Sequence, residues 1–173
     1  AKDYDDAVSL EKLENGHLLL GVHIADVTAV VAPGDPLFRE ARERSTSLYF
    51  PDSQVPMLPE SIAHDTCSLV LEQDRPAISF LIQLSPEGEL VRRKIVPSLI
   101  RVRQQLTYEE VDRTMDSVPK LDLLNTMCRK LRTKRLHNGA VFLPMPDVNI
   151  SLPESGEINI TLSPVDTPAR SLI

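Results

Sequence analysis

Tryptophan is absent from this chain of 173 residues, and three tyrosines and four phenylalanines are its only aromatic side chains. Each is either a core residue or a surface contact, and spacing alone does not choose between them. Cysteine is scarce as well. Cys67 and Cys128 are too few for a disulfide framework, and neither has the CxxC or histidine-rich neighbourhood of a zinc site, so both read as buried thiols. No apolar run approaches the 18 or so residues of a membrane-spanning helix, and Ala1-Lys2-Asp3 opens no apolar leader. The expectation is a soluble, cytoplasmic protein with no membrane partner. Internal repeats and low-complexity stretches are also lacking.

What is present is enough apolar side chain, 42% of residues, to bury a core. The length suits one domain, or a piece of a larger one, better than two. A net charge of −6 and an isoelectric point near 5.2 argue against a surface that coats nucleic acid indiscriminately. The charge is unevenly placed, however. Nine lysines and arginines face sixteen acids over residues 1–100, nine face five over 101–137, and one faces four over 138–173. A basic segment thus lies between two acidic ones, either as a solvated helix face or as a surface for a polyanion.

Hairpins dominate the element pattern. Ala7–Leu10 and the apolar run Leu18–Ile24 read as strands around a Gly16-His17 turn, the second suited to burial on both faces. Leu37–Arg44 has helical spacing and ends near Ser45. The prolines of residues 48–59 predict an ordered loop with bulky side chains. Ala77–Leu84 and Leu90–Ile100 form a second hairpin across Ser85-Pro86-Glu87-Gly88-Glu89. Thr107 and Glu110 make a capping box for a helix to about Met115. A longer helix spans Lys120–His137, with Leu121, Leu124, Cys128 and Leu131 on one face and Arg129, Lys130, Arg132, Lys134 and Arg135 on the rest. Asn138-Gly139 caps it. Strand character returns over 140–162, placing Phe142 on a strand, with a turn at Glu154-Ser155-Gly156. The terminal Arg170-Ser171-Leu172-Ile173 reads as the first turn of a helix. The fold expected is α+β, a mainly antiparallel sheet built from hairpins and flanked by helices.

Chemistry concentrates at Asp3-Tyr4-Asp5-Asp6, three carboxylates within four residues directly ahead of a strand. Their repulsion is relieved by a cation. Alternation sets Asp3 and Asp5 on one side and Asp6 on the other, and a bend at this point would let all three share a hard, oxygen-preferring ion such as Mg²⁺. A solvated acidic turn is the other reading. Asp26, at the end of the second strand, is either a supporting partner of that cluster or a turn and cap carboxylate.

Five stretches follow in order: Lys2–Leu10, Gly21–Val27, Arg44–Pro51, Pro56–Glu60 and Cys67–Leu69, continued by Leu106-Thr107-Tyr108 and Asn138–Phe142. In order and spacing they resemble the successive motifs of the RNB catalytic domain of the RNase II / RNase R exoribonucleases, across essentially the whole of residues 1–173. The resemblance implies a Mg²⁺-dependent hydrolase, with one or two ions, that degrades single-stranded RNA processively from its 3′ end to nucleoside 5′-monophosphates. It implies that Asp3, Asp5 and Asp6 are three of four catalytic, metal-binding aspartates. Tyr49 and Phe142 would clamp the stacked 3′ bases, and Tyr108 would lie near the RNA path. The family's first aspartate would precede Ala1, and a further glutamate and a catalytic arginine would follow Ile173. The chain is therefore expected to be roughly the first half of an incomplete catalytic domain, inactive by itself. A catalytically dead RNA-binding remnant and a purely structural domain are the other two readings.

Overall fold

The computed structural model describes residues 4–143, 145–153, 157–163, 167 and 169–171. They fall into two compact units, Ala1–Gln105 and Leu106–Ile173, each of which is described by itself. Asp3, the Glu154-Ser155-Gly156 turn, Pro168, Leu172 and Ile173 lie outside the described residues.

The first unit is organised by a four-stranded sheet. Strands β1 (Asp6–Lys12) and β2 (Leu18–Ala25) form the expected antiparallel hairpin. Its turn closes where Leu13 N donates to His17 O at 2.8 Å, and Gly16 supplies the φ of +81° that side-chain-bearing residues resist. Residues 26–73 then leave the sheet. They carry a 3₁₀ turn (Val27–Ala29), helix α1 (Pro36–Arg44), the short strands β3 (Leu48–Tyr49) and β4 (Gln54–Val55), and a single π turn (Ile62–Thr66). Helix α1 begins with proline at its first position and ends at Ser45, whose left-handed backbone donates to Ala41 O. The proline-rich stretch read as a loop therefore contains a minimal ladder, Leu48 opposite Val55 and Tyr49 opposite Gln54. Pro51 and Pro56 flank these strands, where their missing donors cost the ladder nothing. Strands β5 (Asp74–Leu84) and β6 (Leu90–Arg101) complete the sheet in the order β1-β2-β5-β6, every pairing antiparallel.

Register explains the composition of the two sheet faces. One cross-strand row is Val8, Val22, Phe80 and Ile95, and the rows beside it hold Leu10, Leu20 and Ile82 and then Ile24 and Ile78. That face is mostly apolar, although Asp6, Lys12 and Arg93 also stand on it, with Leu18, Leu20 and Leu84 buried and Ile95 and Leu99 exposed. The opposite face carries Ala7, Ser9, Gly21, His23, Ala77, Ser79 and Ser98, where small side chains let neighbours approach. Ala77 and Ser79 there are essentially fully buried. A separate apolar cluster joins Val31, Ala41 and Leu58, with Leu37, Met57 and Ile62 against it.

A polar chain crosses the small-residue face. Ser98 Oγ donates to the Ala77 carbonyl at 3.0 Å, which leaves its oxygen to accept from Ser79. Ser79 in turn accepts from His23 Nδ1 at 2.6 Å, and His23 Nε2 accepts from Ser9 Oγ at 2.9 Å. Because a carbonyl can only accept, the direction at Ala77 makes His23 Nδ1 a donor, and with the ring neutral its Nε2 accepts from Ser9. Burial pushes its pKa below the usual 6.5.

The second unit opens with helix α2 (Tyr108–Thr114) under the expected capping box. Thr107 N donates to Glu110 Oε2 at 2.8 Å and Glu110 N to Thr107 Oγ1 at 3.1 Å, and the hydrogen bonds that the Thr107 backbone and hydroxyl make to the Glu110 carboxylate lower its pKa. Helix α3 (Pro119–His137) starts one residue before the expected position, with proline again at its first turn. Leu124, Asn125 and Met127 are its buried residues, and Cys128 is half-buried where a fully buried thiol was expected. Strands β7 (Asp147–Ser151) and β8 (Asn159–Ser163) pair antiparallel, so Val148, Ile150, Ile160 and Leu162 share one face. Phe142 lies before β7 in irregular chain, not on a strand. Ala169–Ser171 is a 3₁₀ turn, and Leu172 and Ile173, the rest of the expected helical turn, lie outside the described residues.

Two outcomes test this account. A Cβ built on Gly21 would lie 2.4 Å from Ser9 Oγ and 2.6 Å from His23 Nε2. Gly21→Ala is therefore expected to cost about 1–3 kcal/mol in urea denaturation, as overpacking does. A histidine with a depressed folded pKa adds stability that is complete above its unfolded value of 6.5 and is lost as pH falls towards the folded value. Denaturation midpoints from about pH 7.5 down to about pH 5 should fall more steeply in the wild type than in His23→Gln.

Candidate nucleic-acid interface

The acidic segment is held from two sides. Tyr4 N donates to Ser68 Oγ at 3.1 Å and Leu69 N donates to Tyr4 O at 2.7 Å, so the chain ahead of β1 runs against residues 68–69. On the other side Ala25 N donates to Asp5 O at 2.8 Å, and Asp6 stands opposite Ile24. Asp6 is thus the first residue of β1 and Asp5 lies directly ahead of it, both with exposed side chains. Carboxylate oxygens are the donors a hard cation takes. Among the described residues, however, no three of His, Cys, Asp and Glu gather round a point that could hold a metal ion. Asp3 lies outside the described residues, so a centre that includes it is not on view.

Arg75 braces this segment indirectly. Its Nη2 donates to Asp65 Oδ1 and to Gln73 Oε1, each at 2.7 Å, and its Nε donates to Ser68 O at 3.2 Å. Arg75 thereby fixes the turn that presents Ser68 and Leu69 to Tyr4. The neighbouring Cys67 thiol has a raised pKa through burial, then through the negative charges of Asp26 and Asp5, with Arg75 opposing them. A raised value and a buried sulfur leave little thiolate, which makes Cys67 a poor nucleophile or ligand. Asp26 resolves in favour of its capping role: Oδ1 accepts from Thr28 N at 3.0 Å and from Thr28 Oγ1 at 2.6 Å, as N-cap of the 3₁₀ turn.

The three candidate base-stacking aromatics are divided between the units. Tyr49 stands in the first, 67% exposed on the β3–β4 hairpin. Its surroundings are stapled: Phe50 N donates to Ser53 O, Met57 N to Ser47 Oγ, and Arg44 Nη1 to Pro56 O at 3.1 Å, while Gln54 Nε2 bonds His64 Nε2. A firmly held, outward aromatic suits stacking better than packing. Tyr108 and Phe142 stand in the second unit. Tyr108, half exposed, opens α2, and the Arg170 guanidinium lies over its ring at 6.0 Å. Ala169 N, next to Arg170, donates to Asp112 Oδ1 at 2.8 Å and ties that 3₁₀ turn to α2. Phe142, 42% exposed, has the Arg132 guanidinium over its ring at 4.4 Å.

Arg132 therefore leaves the outward basic face of α3, on which Arg129, Lys130, Lys134 and Arg135 are exposed. Sequence reading had grouped all five. The available signal was position: Arg132 follows Cys128 by four residues, and so lies one turn along the same side of the helix. No described helix is long and apolar enough to cross a membrane.

Comparison with known proteins covers the same ground. The family model for the RNB domain matches residues 1–173. Ribonuclease R of Thermotoga maritima is 37% identical over 169 residues, which take in 91% of this chain and 24% of that protein. A solved structure of Mycoplasma genitalium RNase R in complex with ribose methylated single-stranded RNA matches with a TM-score of 0.87 at 25% identity, over 99% of this chain and 28% of that one. Yeast Ssd1, a pseudonuclease, matches with a TM-score of 0.72 at 26% identity, over 82% of this chain and 18% of its own. The chain spans about a quarter of the length of the curated relatives it matches.

Asp26→Ala is expected to lower stability by about 1 kcal/mol in urea titrations, as loss of a capping carboxylate does. An unchanged midpoint would remove its capping assignment.

Proposed function

As the chain belongs to the RNB domain family, we propose that it forms part of an exoribonuclease that hydrolyses single-stranded RNA from the 3′ end and releases nucleoside 5′-monophosphates. The observation that carries this reading is the match of 91% to 100% of the chain to proteins named ribonuclease R. The Mycoplasma relative, solved in complex with RNA, supports RNA as the substrate class.

In this reading Asp3, Asp5 and Asp6 hold Mg²⁺, as one ion or two. When bound, the metal supplies activation of the attacking water and neutralisation of charge on the leaving 3′ oxygen. The side chains of this chain supply the grip. Tyr49, Tyr108 and Phe142 stack bases, and a π-face is common to all bases, so the hold is indifferent to sequence at roughly 1–3 kcal/mol per base. The exposed Arg129, Lys130, Lys134 and Arg135 of α3 attract the phosphate backbone, a contribution that weakens with salt. The 173-residue piece alone is expected to be inactive.

A second reading is a catalytically inactive RNA-binding domain. It is favoured by the likeness to the yeast pseudonuclease, whose name denies it nuclease activity while its fold is shared.

One experiment separates them. The natural polypeptide, its mass measured first, is incubated with 3′-labelled single-stranded RNA with and without Mg²⁺. Labelled mononucleotide appearing only with the metal is the expected result. Asp5→Asn should then reduce the rate by more than about a hundredfold with the thermal midpoint unchanged. RNA bound but left intact would establish the inactive reading instead.

A further inference from the structure

We propose that Arg132 is a positioning residue for RNA, holding Phe142 as a one-sided platform on which a single base stacks. The inference rests on the RNA-binding reading above and adds to it a residue and a geometry.

Helix α3 ends at His137, and Gly139, with φ of +92°, turns the chain back along it. Gly139 N donates to Leu136 O and Ala140 N to Arg135 O, which close that reversal. The chain then carries Phe142 to Arg132, ten residues earlier, where the guanidinium carbon sits 4.4 Å from the ring centre. No strand pairing fixes residues 139–143, so the ladder that would orient an aromatic in a sheet is missing at Phe142. The stacked guanidinium takes that place. A planar cation over a ring is attracted to its π-cloud, and arginine makes this contact flat where lysine cannot. Phe142 nevertheless keeps 42% of its surface exposed.

One face of the ring is covered by Arg132, so a base has only the other. The order guanidinium, phenyl ring, base then admits one nucleotide and excludes a base intercalated on both sides of Phe142. Arg132 is itself half-buried, unlike Arg129, Lys130, Lys134 and Arg135 around it. It is therefore poorly placed to meet a phosphate, and its effect passes through the ring. Tyr108 repeats the arrangement more loosely, with Arg170 at 6.0 Å.

The test is a double-mutant cycle in the natural polypeptide, using Arg132→Met, Phe142→Leu and the double variant on 3′-labelled single-stranded RNA. Arg132→Met is expected to raise KM about three- to tenfold with kcat within about twofold, the size of a partly exposed cation–π contact. The double variant should be no worse than Phe142→Leu alone. The effect should also vanish on RNA made abasic at its 3′-terminal nucleotides, which a merely structural loss would not do. Additive effects, or an Arg132→Met effect that persists on abasic RNA, overturn the proposal, because the arginine would then contact the backbone or only support the fold. Arg132→Gln replaces the methionine variant if the thermal midpoint of the latter falls. If the wild type binds RNA without cutting it, the exoribonuclease reading has failed separately, and the same cycle run on dissociation constants decides this one. If it neither cuts nor binds, both fall.

Discussion

Strand β2 has to be flanked closely on both sides, by β1 and by β5, and the rest of the first unit follows from that requirement. Its register sets Gly21 opposite Ser9, and the space a side chain would take there is filled by the Ser9 hydroxyl reaching His23. His23 reaches onward to Ser79, and Ser79 to Ser98, so four strands are joined by side chains as well as by backbone. Polar groups buried this deeply stabilise only when every donor and acceptor is matched. Here the chain of hydroxyls ends on a carbonyl, which accounts for the last proton.

The same strand fixes what lies beyond its ends. Ala25, its last residue, holds Asp5, and Asp26 immediately after it turns the chain into the 3₁₀ turn. Residues 68–69 hold Tyr4 from the opposite side and are themselves set by Arg75 at the start of β5. The acidic segment is thus located by the sheet's two central strands, although none of the side chains of Tyr4, Asp5 and Asp6 is buried in the core.

Much of this was legible in the sequence because it is local. Two hairpins, α1 with its stop at Ser45, the Thr107–Glu110 capping box and α3 are each specified by residues within a few positions of one another. The antiparallel α+β class followed from them. The ladder at Leu48–Val55 was hidden because prolines argue against strands, and two-residue strands leave no periodicity to detect. Phe142 was placed on a strand because its apolar neighbours suggest one, whereas the chain is still reversing from Gly139 there. The Arg132–Phe142 stack and the His23 relay depend on which side chains meet across elements, which spacing along one element does not report. Arg132 looked like one more member of a charged face until its burial set it apart.

The contacts that hold the aromatic platform and those that hold the acidic segment differ in how far along the chain they reach. Phe142 meets an arginine ten positions before it, while Tyr4 meets Ser68 across 64. Closing the longer loop costs about 1.6 kcal/mol more chain entropy on logarithmic scaling, and it waits on β2 and β5 having paired. When the whole chain refolds, the stack beside α3 can form from its own short stretch. The aspartates are set in place only when the whole sheet has come together. In refolding of the whole chain, the Phe142 platform is thereby able to form before the segment that carries Asp5 and Asp6 is set.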